Sequence, residues 1–240
     1  MQHTIRAFDE ELARLRTMIA EMGGLAELQL SAAIEALESR DPERALAVAK
    51  EDRKIDALEV QAENLVVQII ARRSPVAEDL REIIAALKMS SMLERIGDAA
   101  KNIAKRVPVI VQSPPIRAAQ TIPRMADEAR QMVNQVLDAY VERDSDKAVA
   151  VWSSDDRVDR LYNTLFRDLL TDMAESPQTV TAATHLIFVA KNIERIGDQA
   201  TNIAEEVYYL IEGERLDDRR PKADATTEAA VASGNAREGT

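Results

Sequence analysis

Apolar residues recur every three or four positions along most of the chain, the period of a helix that buries one face. Phe8, Leu12, Leu15, Ile19 and Met22 begin the pattern, and Leu25, Leu28, Ala32 and Leu37 continue it beyond Gly23-Gly24, a pair that predicts a kink. Asp41-Pro42 offers an N-cap and a residue suited to the first helical position. A second helix is therefore expected through Val48, Ile55, Leu58, Ala62, Leu65, Val66 and Ile69. Ser74-Pro75 opens a third in the same way, with the stripe Met89, Leu93, Ile96, Ala100, Ile103 and Val107. Pro108, Pro114 and Pro115 interrupt the period, so about 108–123 reads as a linker. Three more helices are expected, over about 124–143, over 145–175, and from Ser176-Pro177 to near Gly213.

The two triplets are copies. LERIGDAAKNIAK (93–105) matches IERIGDQATNIAE (193–205) at an offset of about 100, SRDPERALAVA (39–49) aligns with ERDSDKAVAVW (142–152), and Asp56 falls on Asp159. The expected fold is all-α, a tandem repeat of two elongated antiparallel three-helix bundles over 1–110 and 111–213. Helices of about 30 residues reach roughly 45 Å. From Glu214 the chain is charged, small and nearly free of aliphatic residues, which predicts a disordered tail over 214–240.

Composition narrows the chemistry. In 240 residues, 31 basic against 42 acidic side chains leave a net charge of −11, which disfavours nucleic acid and favours cations and basic protein surfaces as partners. Without cysteine there are no disulfides, thiolate metal sites or cysteine nucleophiles. Two histidines, His3 and His185, leave little for imidazole-rich sites, and His185 reads as a packed or surface residue. No window is apolar enough to span a membrane, and charges at Arg6, Asp9, Glu10, Glu11 and Arg14 occupy the place of a signal peptide's apolar stretch, so a cytoplasmic protein is expected.

The candidate chemistry is carboxylate. Each third helix carries Glu-x-x-x-Asp-x-x-x-Asn, namely Glu94, Asp98, Asn102 and Glu194, Asp198, Asn202, a spacing that puts three oxygen donors on one face. The wheel turns Glu94 and Asp98 away from their apolar stripe, toward solvent. The second helices add Asp52 with Asp56 and Asp155 with Asp159. Antiparallel counting sets these level with the third-helix pairs, although convergence depends on helix rotation. A single acidic pair four residues apart reads as a solvated face. Recurrence in both copies and on both helices favours a site for cations that prefer oxygen ligands, Mg, Ca, Mn or Fe. Gly97 and Gly197 read as points of close helix approach, and the pairs Arg72-Arg73 and Arg219-Arg220 as solvated.

Through ERIGDAAKNIA (94–104) and ERIGDQATNIA (194–204), set in tandem three-helix repeats, the sequence resembles the PhoU family over about 5–212. The resemblance implies a cytoplasmic regulator without turnover that links the ATP-binding subunit of the phosphate ABC transporter to the phosphate-sensing histidine kinase. On this view it holds phosphate-starvation genes off when phosphate is plentiful. It further implies a homodimer or higher oligomer that reaches the membrane only through partners. Multinuclear binding of Fe, Mn, Mg or Zn is implied at Glu94/Asp98 with Asp52/Asp56 and at Glu194/Asp198 with Asp155/Asp159. Two alternatives stand beside it. A metal-free helical scaffold accounts for everything but the duplicated acids. A di-iron oxidase needs Glu-x-x-His, and neither histidine has a glutamate three positions earlier.

Overall fold

The computed structural model describes residues 2–154 and 156–216, with side chains from residue 7 onward. Helices α1 (Gln2–Glu38), α2 (Pro42–Glu51), α3 (Arg53–Arg73), α4 (Ala77–Ala104) and α5 (Val107–Ile110) form the first half. After a short 3-10 turn at Arg117–Thr121 come α6 (Ile122–Glu142), α7 (Ser145–Trp152), α8 (Asp156–Glu175), a second 3-10 turn at Pro177–Thr179, and α9 (Val180–Glu212). No strand occurs among the described residues. The expected tail lies, from residue 217 on, outside them.

Helix α1 runs unbroken through Gly23-Gly24, and Gly23 serves packing there, because a Cβ would overlap the Leu137 methyls of α6. One expectation needs correction. The second and fifth expected helices each divide in two, α2 from α3 at Asp52 and α7 from α8 after Trp152. Asp52 keeps helical dihedrals (φ −50°, ψ −34°), so the apolar period runs straight through the break.

Local chemistry repeats with the sequence. Asp41 and Asp144 cap α2 and α7, accepting from the Arg44 and Lys147 amides at 2.9 Å each, worth about 1 kcal/mol apiece. Just before each cap an arginine, Arg40 or Arg143, sits at φ 53°. There the following aspartate amide closes on the carbonyl five residues back, Asp41 on Ala36 at 2.9 Å and Asp144 on Ala139 at 3.0 Å. Left-handed backbone costs a non-glycine residue about 1–2 kcal/mol. Both guanidiniums are anchored. Arg40 donates to the carbonyls of Val111 and Ser113 at 2.8 and 2.5 Å, fastening the linker, and Arg143 donates to Glu78 and Glu82 of α4 at 2.9 and 2.5 Å.

One apolar core runs through both halves. Helix α1 packs on α4 and α6, α4 packs on α9, and α9 also meets α6, α7 and α8. Leu15, Ile19, Met89, Leu93 and Ile96 of the first half, and Leu165, Ile193 and Ile203 of the second, are fully buried. Each contributes about 1.5–3 kcal/mol of hydrophobic stabilisation. Among the described residues no helix is long and apolar enough to cross a membrane.

Candidate carboxylate sites

In the first half the α3 and α4 acids do converge. Asp52, 2% exposed at the start of α3, accepts from Gln29 Nε2 at 3.2 Å through Oδ1 and from Lys101 Nζ at 2.5 Å through Oδ2. The same ammonium donates to Asp98 Oδ1 at 2.7 Å, so one lysine bridges the two helices. Its own pKa rises because both carboxylates hold its proton. Gly97 makes the approach possible: a Cβ there would stand 2.7 Å from Ile55 Cδ1 and 3.2 Å from Asp52 Oδ1. Glu94 is half-buried, and its carboxyl is pushed up to about 7, first by burial and then by Asp98, Glu59, Asp56 and Asp52. Asp56 and Glu59 shift upward too, each chiefly by burial.

The second half is built differently. Glu194 is buried, 5% exposed, although the wheel turned its counterpart Glu94 toward solvent. A wheel sees only the apolar stripe of one helix, whereas α9 packs against α4, α5, α6, α7 and α8. Lys191 Nζ donates to Glu194 Oε1 at 2.9 Å and stands 5.2 Å over the Tyr162 ring, while Glu194 Oε2 is buried without a hydrogen-bond partner. Burial raises the Glu194 pKa, with Asp198 and Asp159 pushing the same way and Lys191 opposing. Asp159 is buried at 3% exposure and Asp198 half-buried. Asn102 and Asn202, one turn further along α4 and α9, are half-buried. Asp155 lies outside the described residues.

Among the described residues no three acidic or histidine side chains close on a single point tightly enough to coordinate one ion. The two halves nevertheless differ in fit. Both Asp52 oxygens are satisfied by the protein's own donors, whereas the orphaned Glu194 Oε2 is a buried acceptor suited to a hard cation. Lys101, Gln29, Lys191 and Glu59 escaped the sequence reading. The available signal was where the copies disagree, Lys101 against Thr201 and Ser91 against Lys191.

The blander readings fare unevenly. His185 is a packed residue, 3.4 Å from Arg106 Nη1 and lowered in pKa by burial and that guanidinium, which itself lies 4.2 Å over Phe188. Arg73 is not solvated: it grips Glu11 of α1 through two bonds of 2.9 and 3.1 Å. A bidentate carboxylate at that height outcompetes water for the guanidinium. Arg219-Arg220 lie outside the described residues.

A tandem all-α repeat with a carboxylate face in each copy defines a narrow class of helical protein. The sequence model of the PhoU domain matches it twice, over residues 19–107 and 122–207. A phosphate-specific transport system accessory protein PhoU homolog of Zymomonas mobilis is 49% identical over 217 residues, covering 90% of this chain and 92% of that protein. Its counterpart in Caulobacter vibrioides is 45% identical over 228 residues, covering 95% and 99%. Among solved structures, PhoU from Pseudomonas aeruginosa superposes with a TM-score of 0.83 at 38% identity, covering 86% of this chain and all of that one. The phosphate transport system regulatory protein PhoU from Streptococcus pneumoniae gives 0.77 at 27%, covering 88% and 99%. The chain belongs to the PhoU family of phosphate-transport accessory proteins.

Proposed function

We propose that this protein is a cytoplasmic, metal-binding adaptor that acts by docking rather than by turnover. It ties the ATP-binding subunit of the phosphate ABC transporter to the phosphate-sensing histidine kinase and keeps phosphate-starvation genes off when phosphate is plentiful. Family membership supports the phosphate-transport setting, and the net charge of −11 suits basic docking surfaces on partners. The observation that carries the metal reading is the buried Glu194 with its unpartnered oxygen, in the electrostatic neighbourhood of Asp198 and Asp159. Those three residues would hold the ion. A hard divalent or trivalent cation such as Mg, Mn or Fe would supply charge neutralisation and stiffening of the α8–α9 face.

Two measurements test this. Elemental analysis of tag-free protein, with and without alanine at Glu94, Asp98, Glu194 and Asp198, should find metal in the parent and none in the variant. Deleting the gene should release phosphate-starvation expression in phosphate-rich medium; unchanged expression would remove the regulatory reading. A metal-free scaffold draws its support from Lys101, which neutralises part of the first acidic face without any ion. Metal absent from the parent even after loading with manganese, magnesium or iron would favour it.

A further inference from the structure

Helices α6 and α8 lie side by side, and between them opens a cleft of about 430 Å3 lined by Arg124 and Glu128 of α6 and by Arg157, Arg160, Leu161 and Thr164 of α8. That size falls within the ~300–1,000 Å3 of ligand clefts. Three guanidiniums around one hollow repel one another, and their own partners hold them weakly. Arg124 is exposed and makes no hydrogen bond or ion pair among the described residues. Arg157 Nη1 stands 3.8 Å from Glu128 Oε2, at the outer limit of an ion pair. Arg160 holds Asp156 one turn back on its own helix, an exposed pair of the kind that contributes little. Duplication does not account for the cluster. In the register that sets Asp56 on Asp159, the first half has Glu21, Lys54 and Ala57 where the second has Arg124, Arg157 and Arg160, and Lys54 is paired to Glu51.

We propose that the α6–α8 cleft binds free hydrogenphosphate, with Arg124, Arg157 and Arg160 as donors and Glu128 as the acceptor of its remaining proton. A guanidinium meets phosphate oxygens through two parallel N–H groups, and because these three belong to two helices, the anion is held between α6 and α8. Glu128 would repel an anion that carries no proton. Hydrogenphosphate keeps an O–H that a carboxylate accepts, and sulfate near neutral pH has none, so the same side chain selects between them. Among the described residues no aromatic ring lines the cleft and Leu161 is its one apolar side chain, which leaves nothing to hold a nucleobase. The proposal deepens the regulatory reading above and rests on it for the choice of phosphate; the metal reading does not enter.

The test is isothermal titration calorimetry on the full chain, stripped of metal, near neutral pH and at constant ionic strength, with sodium phosphate, sodium sulfate and ATP as separate titrants. Phosphate should bind at one site per chain, about tenfold more tightly than sulfate and more tightly than ATP. Arg124→Gln, Arg157→Gln and Arg160→Gln should each weaken it about tenfold, the loss of one charge-assisted bond. These arginines are exposed, so the variants should melt with the parent. Arg130→Gln, elsewhere on α6 where Arg130 bonds Asp127 at 3.4 Å, should leave the affinity unchanged. Glu128→Gln should bring sulfate level with phosphate. Sulfate bound by the parent as tightly as phosphate, or phosphate affinity untouched by the three arginine variants, would overturn the proposal. ATP bound more tightly than phosphate would overturn it in favour of a nucleotide. No heat of binding with any titrant would overturn it too, while release of phosphate-starvation expression on deletion of the gene would leave the regulatory reading standing.

Discussion

Replacing Glu82 by glutamine should cost about 2 kcal/mol of stability. The side chain lies in the core of the bundle, 5% exposed, yet it is charged. Arg16 of α1 grips it through Nε on Oε1 and through Nη2 on Oε2 at 2.9 Å, and Arg143, in the turn after α6, donates to Oε2 at 2.5 Å. Charge-assisted bonds contribute about 1.5–3 kcal/mol each, and removing one partner of a fully buried pair costs about 3–5 kcal/mol. Here the arginine side chains are 49% and 39% exposed and regain water once the carboxylate is gone, which brings the cost toward the lower figure. Glutamine also keeps one acceptor. Urea denaturation followed by far-UV circular dichroism would read the change as a fall of about 1 M in midpoint, for an m of about 2 kcal/mol/M. Arg143→Met should cost a similar amount, and the double variant should fall short of the sum by about 1–2 kcal/mol, because the groups share one network. A Glu82→Gln midpoint within about 0.2 M of the parent, or strict additivity in the cycle, would refute the claim that this carboxylate links α1, α4 and the α6 turn.

Stability should fall as pH rises between about 4.5 and 7 in metal-free protein: Glu94, with its carboxyl raised to about 7, keeps its proton only when folded, and Asp56, Glu59 and Glu194 shift the same way. Glu94→Gln should flatten that slope in thermal melts across the range, and an unchanged slope would show that this carboxyl does not drive it. Gly97→Ala should destabilise despite the roughly 1 kcal/mol that alanine gains in helix propensity, since its methyl meets Ile55 and crowds the Asp52–Gln29 bond; a stabilised variant in chemical denaturation would count against close packing of α3 on α4. Asp41→Ala and Asp144→Ala should each lose about 1 kcal/mol through a missing cap, and equal losses measured by denaturation would show the two copies of the cap to be energetically equivalent.

The helices, their order and the duplication were legible because each stripe is amphipathic and Asp41-Pro42 is a working cap; Ser74-Pro75 and Ser176-Pro177 mark only the turns, since α4 begins at Ala77 behind Val76 and α9 at Val180 behind Thr179, neither with a side-chain cap. The breaks were not legible. Asp52 holds helical dihedrals, and Val48 and Ile55 keep the period across it, so no pattern of polarity marks where α2 ends. At the sites, the levels of the acids followed from counting along antiparallel helices, and Asp52 does meet Asp98 through Lys101. The burial of Glu194 was hidden, because a wheel describes one helix while exposure depends on every neighbour. Lys101, three residues from Asp98, reads from sequence as a surface ion pair; only the rotation of α4 against α3 turns it inward onto Asp52.

The way the halves meet has a consequence of its own. Helix α1 packs on α6, its counterpart, and α4 packs on α9, its counterpart. Equivalent surfaces facing one another are the mark of an isologous, two-fold contact. The chain thus encloses within one polypeptide the kind of interface by which a symmetric dimer of single repeats would hold together. A fragment ending near residue 110 would bare the apolar flanks of α1 and α4, and the surface most complementary to them is the same pair of flanks on another fragment.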